Sequence, residues 1–291
     1  MNCKSANTRK RHIILIKTMI FLSICSLTWG GYSQKSSEFS VQALGGFSYV
    51  DYETQQTFTA PERNWGLGLG YGFYLNENWS LQLAGIYQKY TAKLSVAKIE
   101  DQYQSIDLEQ ENFVFQFEAQ RLKEQQQIGN IQFPLSLQWQ TSGETKFYFR
   151  AGAQVNLVLE AEFDQAIDFL KTSGYYPQYE VTLDDPLFMG FGRFDDVKTS
   201  KKNLNWQTTY SAIFESGIKS EVYKNQHFYI GLFLNYGLKG LKTADKNNPL
   251  VEYQSKKPDA FKWNSLSQTP LAQNARLMSY GIKLRYAWGG F

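Results

Sequence analysis

From Gln34 onward the chain carries one histidine, His227, and two pairs of adjacent carboxylates, Asp184-Asp185 and Asp195-Asp196. Hydrolysis needs a nucleophile, a base and a group that orients the base, and no such trio can be assembled from these residues. His227 lies beside the polar turn Tyr223-Lys224-Asn225-Gln226, where a lone histidine is expected to be a solvated surface group. Paired aspartates in a loop could serve a hydrolase at a barrel rim or a weak calcium site, but neighbours of this kind are ordinarily solvated charges. Gly190-Phe191-Gly192 is too short for a phosphate-binding loop. No catalytic residue, cofactor or metal site is therefore expected.

Two other groups of residues carry more information. Arg150, Glu215, Lys219, Lys239, Lys283 and Arg285 each fall on the polar face of an alternating segment. They either line an anion-selective pore or pair with Glu215 and with amides to plug a narrow lumen, and the second is favoured because eight strands leave room only for side chains. The stretch from Glu160 to Asn203 gathers Phe163, Phe169, Tyr175, Tyr176, Tyr179, Phe188, Phe191 and Phe194 among acids and few aliphatics. Phe169, Tyr175, Tyr176, Tyr179, Phe188, Phe191 and Phe194 are candidates for binding a protein partner, since aromatic loops on a rigid frame are common recognition surfaces. The alternative is that these rings pack on one another and cap the barrel mouth.

The elements that position these groups follow from a period of two. Ile131, Phe133, Leu135, Leu137 and Trp139 interleave with Gln132, Ser136 and Gln138; after Thr141 to Thr145, Phe147 through Leu159 repeat the pattern against Tyr148, Arg150, Gly152, Gln154 and Asn156. One greasy and one wet face, sustained that long, describe strands that touch lipid on one side and a polar lumen on the other. Similar alternations start near Glu38, Trp65, Trp79, Trp206, Phe228 and Met278, which gives an all-β, eight-stranded antiparallel up-and-down transmembrane β-barrel. Links two, four and six are short and the others long, so long extracellular loops and periplasmic termini are expected. Gly66, Gly68, Gly70 and Gly72 share one face and suit a crowded interior. From Lys89 to Gln127 a strand pair is expected to project past the membrane, with ten spanning strands as the alternative. Phe163, Ala166, Ile167 and Leu170 fall at helical spacing and predict a short amphipathic helix ending near Gly174. Pro134 predicts a bulge.

Composition agrees. Aromatic residues make up 16% of the 291 residues, and mean hydropathy is −0.43. After Gln34 no apolar run is long enough for a helical span. Lys4, Arg9, Lys10 and Arg11 followed by the apolar Met19 to Trp29 and by Gly31-Tyr32-Ser33 predict a cleaved signal peptide over residues 1–33, with a single barrel domain over 34–291. Both cysteines, Cys3 and Cys25, fall in that leader, and Ile24 is too bulky for a lipoprotein processing site at Cys25. Cleavage takes five of the 30 Lys and Arg and none of the 27 acids, leaving 25 against 27, so there is no electrostatic case for a nucleic-acid partner.

The segment Ile131-Gln132-Phe133-Pro134-Leu135-Ser136-Leu137, followed by Lys146-Phe147-Tyr148-Phe149-Arg150-Ala151-Gly152, resembles the central hairpin of the small outer-membrane β-barrel domain family of Bacteroidota, the PorT-like group. The Ser-Gln leader ending and the terminal Phe291 are similar too, although the loops are longer than the minimal form and Phe291 is out of phase with Trp288. The resemblance implies a non-enzymatic protein in contact with outer-membrane lipid, its extracellular loops binding a protein partner within a secretion or outer-membrane assembly complex. A small-solute channel and a rim-located hydrolase are the competing expectations.

Overall fold

The computed structural model describes residues 37–51, 57–204, 206–238, 248–270 and 276–290. The expected leader, Lys239 and Phe291 lie outside these residues. Eight long strands form the body: β1 (Ser37–Asp51), β2 (Glu62–Tyr74), β3 (Trp79–Ile106), β4 (Asn112–Gln140), β5 (Thr145–Tyr176), β6 (Thr209–Tyr223), β7 (Gln226–Gly237) and β8 (Arg276–Gly289). Each pairs antiparallel with its neighbour in sequence, and β1 pairs with β8 from Glu38↔Gly289 to Asp51↔Arg276. The order is therefore a closed ring of eight strands, in which every wall strand finds both its hydrogen-bonding partners.

Inside and outside are inverted relative to a water-soluble protein. Phe39, Leu69, Leu83, Leu135, Phe149, Ile230 and Ile282 point outward and are exposed, whereas Gln42, Gln82, Gln132, Gln154 and Ser279 point inward and are buried. Rings border the outward apolar band at both ends: Phe39 stacks on Trp288 at 6.1 Å near the short turns, and Trp65 meets Tyr87 edge-on at 5.9 Å near the long connections. On β5 the band runs from Phe147 to Leu159, roughly 30 Å along the barrel axis at about 3.3 Å per residue and a tilt near 40°. These are the surfaces of an outer-membrane β-barrel.

Three strands do not stop at the band. β3, β4 and β5 continue beyond the level where Lys89 pairs Gly129 and Gly129 pairs Glu160, and there the polarity reverses. Outward positions become Lys93, Gln125, Lys123 and Glu162, while inward positions become Leu94, Ile128, Leu122 and Phe163, buried in one cluster with Phe113, Phe115, Phe191, Trp206, Val251 and Leu266. Short strands Thr57–Ala60 and Gly192–Lys198 extend the sheet on either side, so the long connections build a head with a dry core of its own.

Two expectations are corrected here, the helix and the bulge, and the eight-strand reading holds over its ten-strand alternative. The helix over Phe163 to Gly174 is absent: those residues are β5, paired with β4 throughout. The helical look has a local cause. Phe163, Gln165 and Ile167 alternate inward, then the phase slips at Asp168–Phe169, opposite Arg121 with φ of 52°, so that Leu170 and Thr172 take over the buried face. The strand pair after Lys89 projects past the band and adds no ninth or tenth wall strand. Pro134 causes no bulge: the β3–β4 register is the same at Leu83↔Leu135 and Ile86↔Gln132, with only the rungs between them missing, as a residue without an N–H requires. The bulge lies higher, at Gly129–Asn130 opposite Leu159.

Candidate functional site: a filled lumen and a tip cleft

Two buried ion clusters lie in the lumen. Glu215 on β6 meets Lys283 of β8 at 2.8 Å and Arg150 of β5 at 3.5 Å, and accepts the Tyr148 hydroxyl at 2.8 Å. Nearer the short turns, Lys219 lies 3.2 Å from Glu38, both 1% exposed, and Tyr74 and Tyr229 donate their hydroxyls to the same carboxylate at 2.9 and 2.7 Å. Arg285 stacks on the Tyr229 ring at 3.6 Å and donates to Gln138, which also accepts from Arg150. Between Gln42, Gln132, Gln154 and Lys283 a gap of about 20 Å³ remains, space for about one water. Small residues make this filling possible. A Cβ on Gly68 would sit 2.6 Å from the Gly85 carbonyl, and one on Gly72 would sit 2.5 Å from the Gln82 amide.

Of the six lumen residues read from sequence, Arg150, Glu215 and Lys283 form one cluster, Lys219 belongs to the other, and Arg285 lies between aromatic faces and amides. Their partners Glu38, Tyr74, Tyr148 and Tyr229 were not singled out, although all four share the inward parity of the residues that were. His227 is corrected: it is buried inside the wall, not solvated, because its position on β7 has that same parity.

The head ends in a tip. Here the Asp107 carboxylate accepts the backbone N–H groups of Glu109 and Glu111, each at 2.9 Å, and the Tyr176 hydroxyl at 3.0 Å, fixing the turn between β3 and β4. Strand Val181–Leu183 and the single 3₁₀ turn Leu187–Met189 lie alongside. Together they bound a cleft of about 600 Å³ whose lining includes Leu108, Tyr179, Val181, Phe188, Met189 and Pro258 together with the acids Asp107, Glu109 and Glu111.

The aromatic residues expected to bind a partner divide in two. Phe191 and Tyr176 are withdrawn from any surface role: they are 0% and 4% exposed, in the head core against Phe113. Phe194 packs on Phe261 at 5.5 Å, partly buried against that core, and Tyr175 is partly buried. Phe169 lies under the Arg193 guanidinium at 4.7 Å. Tyr179 and Phe188 remain at the surface, Phe188 with 79% of its area exposed. The aspartate pairs do not converge: Asp184 faces Lys171 at 3.5 Å and Asp195 accepts from Arg193 at 3.0 Å. Among the described residues no three carboxylate, histidine or cysteine side chains gather to hold a metal.

Sequence reading also missed Glu124. It is buried in the head and accepts four hydrogen bonds, from Ser265 Oγ, the Leu266 N–H and the Gln126 and Gln165 amides, at 2.6 to 2.8 Å. Ser265 and Gln268 form a capping box on the adjacent turn, so this carboxylate pins the seventh connection to the wall strands. Burial pushes its pKa up, against the pull of its donors. Its inward parity with Gln126 and Ile128 was the available signal.

The chain matches no protein-family model and no curated protein by sequence. Solved structures to which it is similar include three outer-membrane proteins. The Neisserial surface protein A is 12% identical over 85% of this chain and 95% of that one, with a TM-score of 0.34. OprG of Pseudomonas aeruginosa is 11% identical over 87% and 97%, with a TM-score of 0.35. Ail, the attachment invasion locus protein of Yersinia pestis, was solved with a heparin analogue and is 9% identical over 87% and 99%, with a TM-score of 0.33.

Proposed function

We propose that this chain is a non-enzymatic outer-membrane barrel of the PorT-like kind, which holds a protein partner on its head as part of a secretion or outer-membrane assembly complex. The orientation in this reading puts the short turns and both termini in the periplasm and the head outside the cell, as in barrels whose short and long links alternate. The observation that carries it is the contrast between the two ends of one wall. Among the described residues the lumen is packed with paired charges around a gap of about 20 Å³, whereas the long connections build a head with an apolar core and an open cleft. A solute channel would need the reverse. The proposal is tested on the purified full chain in planar bilayers and by crosslinking in native outer membranes. The expected results are an absence of discrete conductance steps and a defined crosslinked protein on the head. Steady single-channel openings, or no crosslinked protein at any head position, would overturn it.

A further inference from the structure

We infer that the tip cleft is a docking site for a polypeptide segment that inserts an aromatic or aliphatic side chain and flanks it with Lys or Arg. This rests on the partner-binding reading above and names the surface and its chemistry.

The exposed apolar residues are held there by the backbone. Pro186 opens a single 3₁₀ turn and Gly190, with φ of 77°, closes it; between them Leu187 and Phe188 are turned out to 52% and 79% exposure. The next residue, Phe191, is turned into the core. A Cβ on Gly190 would sit 2.1 Å from the Pro258 carbonyl, so this turn is seated tightly on the neighbouring connection. An apolar side chain this exposed on a fixed turn, beside a cleft of about 600 Å³, has the form of a recognition anchor.

Charge selects the occupant. Asp107, Glu109 and Glu111 are part of the cleft lining, and among the described residues no Lys or Arg lines it. Asp107 and Glu111 are engaged with tyrosine hydroxyls at 3.0 and 2.8 Å, whereas Glu109 has no cation within ion-pair distance among the described residues. In sequence, Glu180 and Asp185 flank the segment from Val181 to Leu183, and Lys256, Lys257 and Asp259 flank Pro258. The acidic lining repels the phosphates of anionic lipid and the sulfates or carboxylates of acidic polysaccharides, and attracts a cationic segment.

The test uses the full chain in detergent and two dye-labelled synthetic peptides with the same Trp-Leu centre, one flanked by lysines and one by glutamates. Fluorescence anisotropy is expected to show the lysine peptide binding at least ten-fold more tightly. Phe188→Ser and Glu109→Lys are each expected to weaken it at least ten-fold, with heat-modifiable gel mobility unchanged because both residues are at the surface. Equal binding of the two peptides, or binding that neither substitution alters, would overturn the inference. In cells, a benzophenone amino acid is placed at Phe188 or at Lys123, on the outer face of β4. Protein captured through Phe188 and competed by the lysine peptide supports the cleft. Capture through Lys123 alone keeps the partner-binding reading and removes the cleft, and capture at neither site removes both.

Discussion

Glu215 is the carboxylate on which two cations of the lumen converge, and its replacement tests how the interior is held. In Glu215→Ala, Arg150 and Lys283 would be left facing each other without a counter-charge, a change expected to cost about 3–5 kcal/mol. The check is the urea midpoint of the refolded barrel, read from heat-modifiable gel mobility; an unchanged midpoint would contradict the pairing. Glu124 tests the head in a different way. Its folded pKa lies above the ordinary 4.5, so the folded state binds its proton more readily than the unfolded state. Its contribution to stability is therefore full below pH 4.5 and is lost as pH rises through the folded value. Protease nicking between Leu250 and Gln268 should increase across that window in the native chain and stay level in Glu124→Gln. In Glu124→Ala the Leu266 N–H and the Ser265 hydroxyl lose their acceptor, and nicking should be faster at every pH, by roughly 1–3 kcal/mol of local stability.

At the scale of a strand, the wall carries two separate tests. Gly68→Val should impede closure, because its side chain meets the Gly85 carbonyl and Ile86, and even Gly68→Ala should cost about 1–3 kcal/mol by overpacking. Leu83→Arg puts a charge on the lipid face opposite Leu135 and should cost about 2–4 kcal/mol near the bilayer middle, both read from the same denaturation assay. The eight wall segments were legible in the sequence because each face of a strand meets a uniform medium for its whole crossing, so alternation survives from Phe147 to Leu159 without interruption. Above the level of Leu159 the media exchange places, and on β5 the bulge there also shifts the parity by one residue, so polarity no longer says which side is out. The Gln-rich run from Gln125 to Gln127 shows this, with Gln126 buried between two outward neighbours. The helix misreading at Phe163 to Leu170 came from one slipped residue, which turns a spacing of two into an apparent spacing of four and three. Partners across the lumen, such as Glu38 with Lys219, were not legible because they depend on which strands become neighbours in the ring.

For the whole molecule, the ring and the head share a single sheet. β3, β4 and β5 pass from the bilayer to the tip, and the registers between them hold along nearly their full lengths, with one bulge at Gly129. No loop or glycine-rich joint separates the part in lipid from the part that presents the cleft. A load applied at the tip therefore has no swivel to take it up. It travels down three ribbons as shear, shared by many rungs at once rather than peeling them singly, and reaches the girdle of rings at the lipid boundary. Whatever grips the tip is moored to the envelope as if to a mast stepped through the deck.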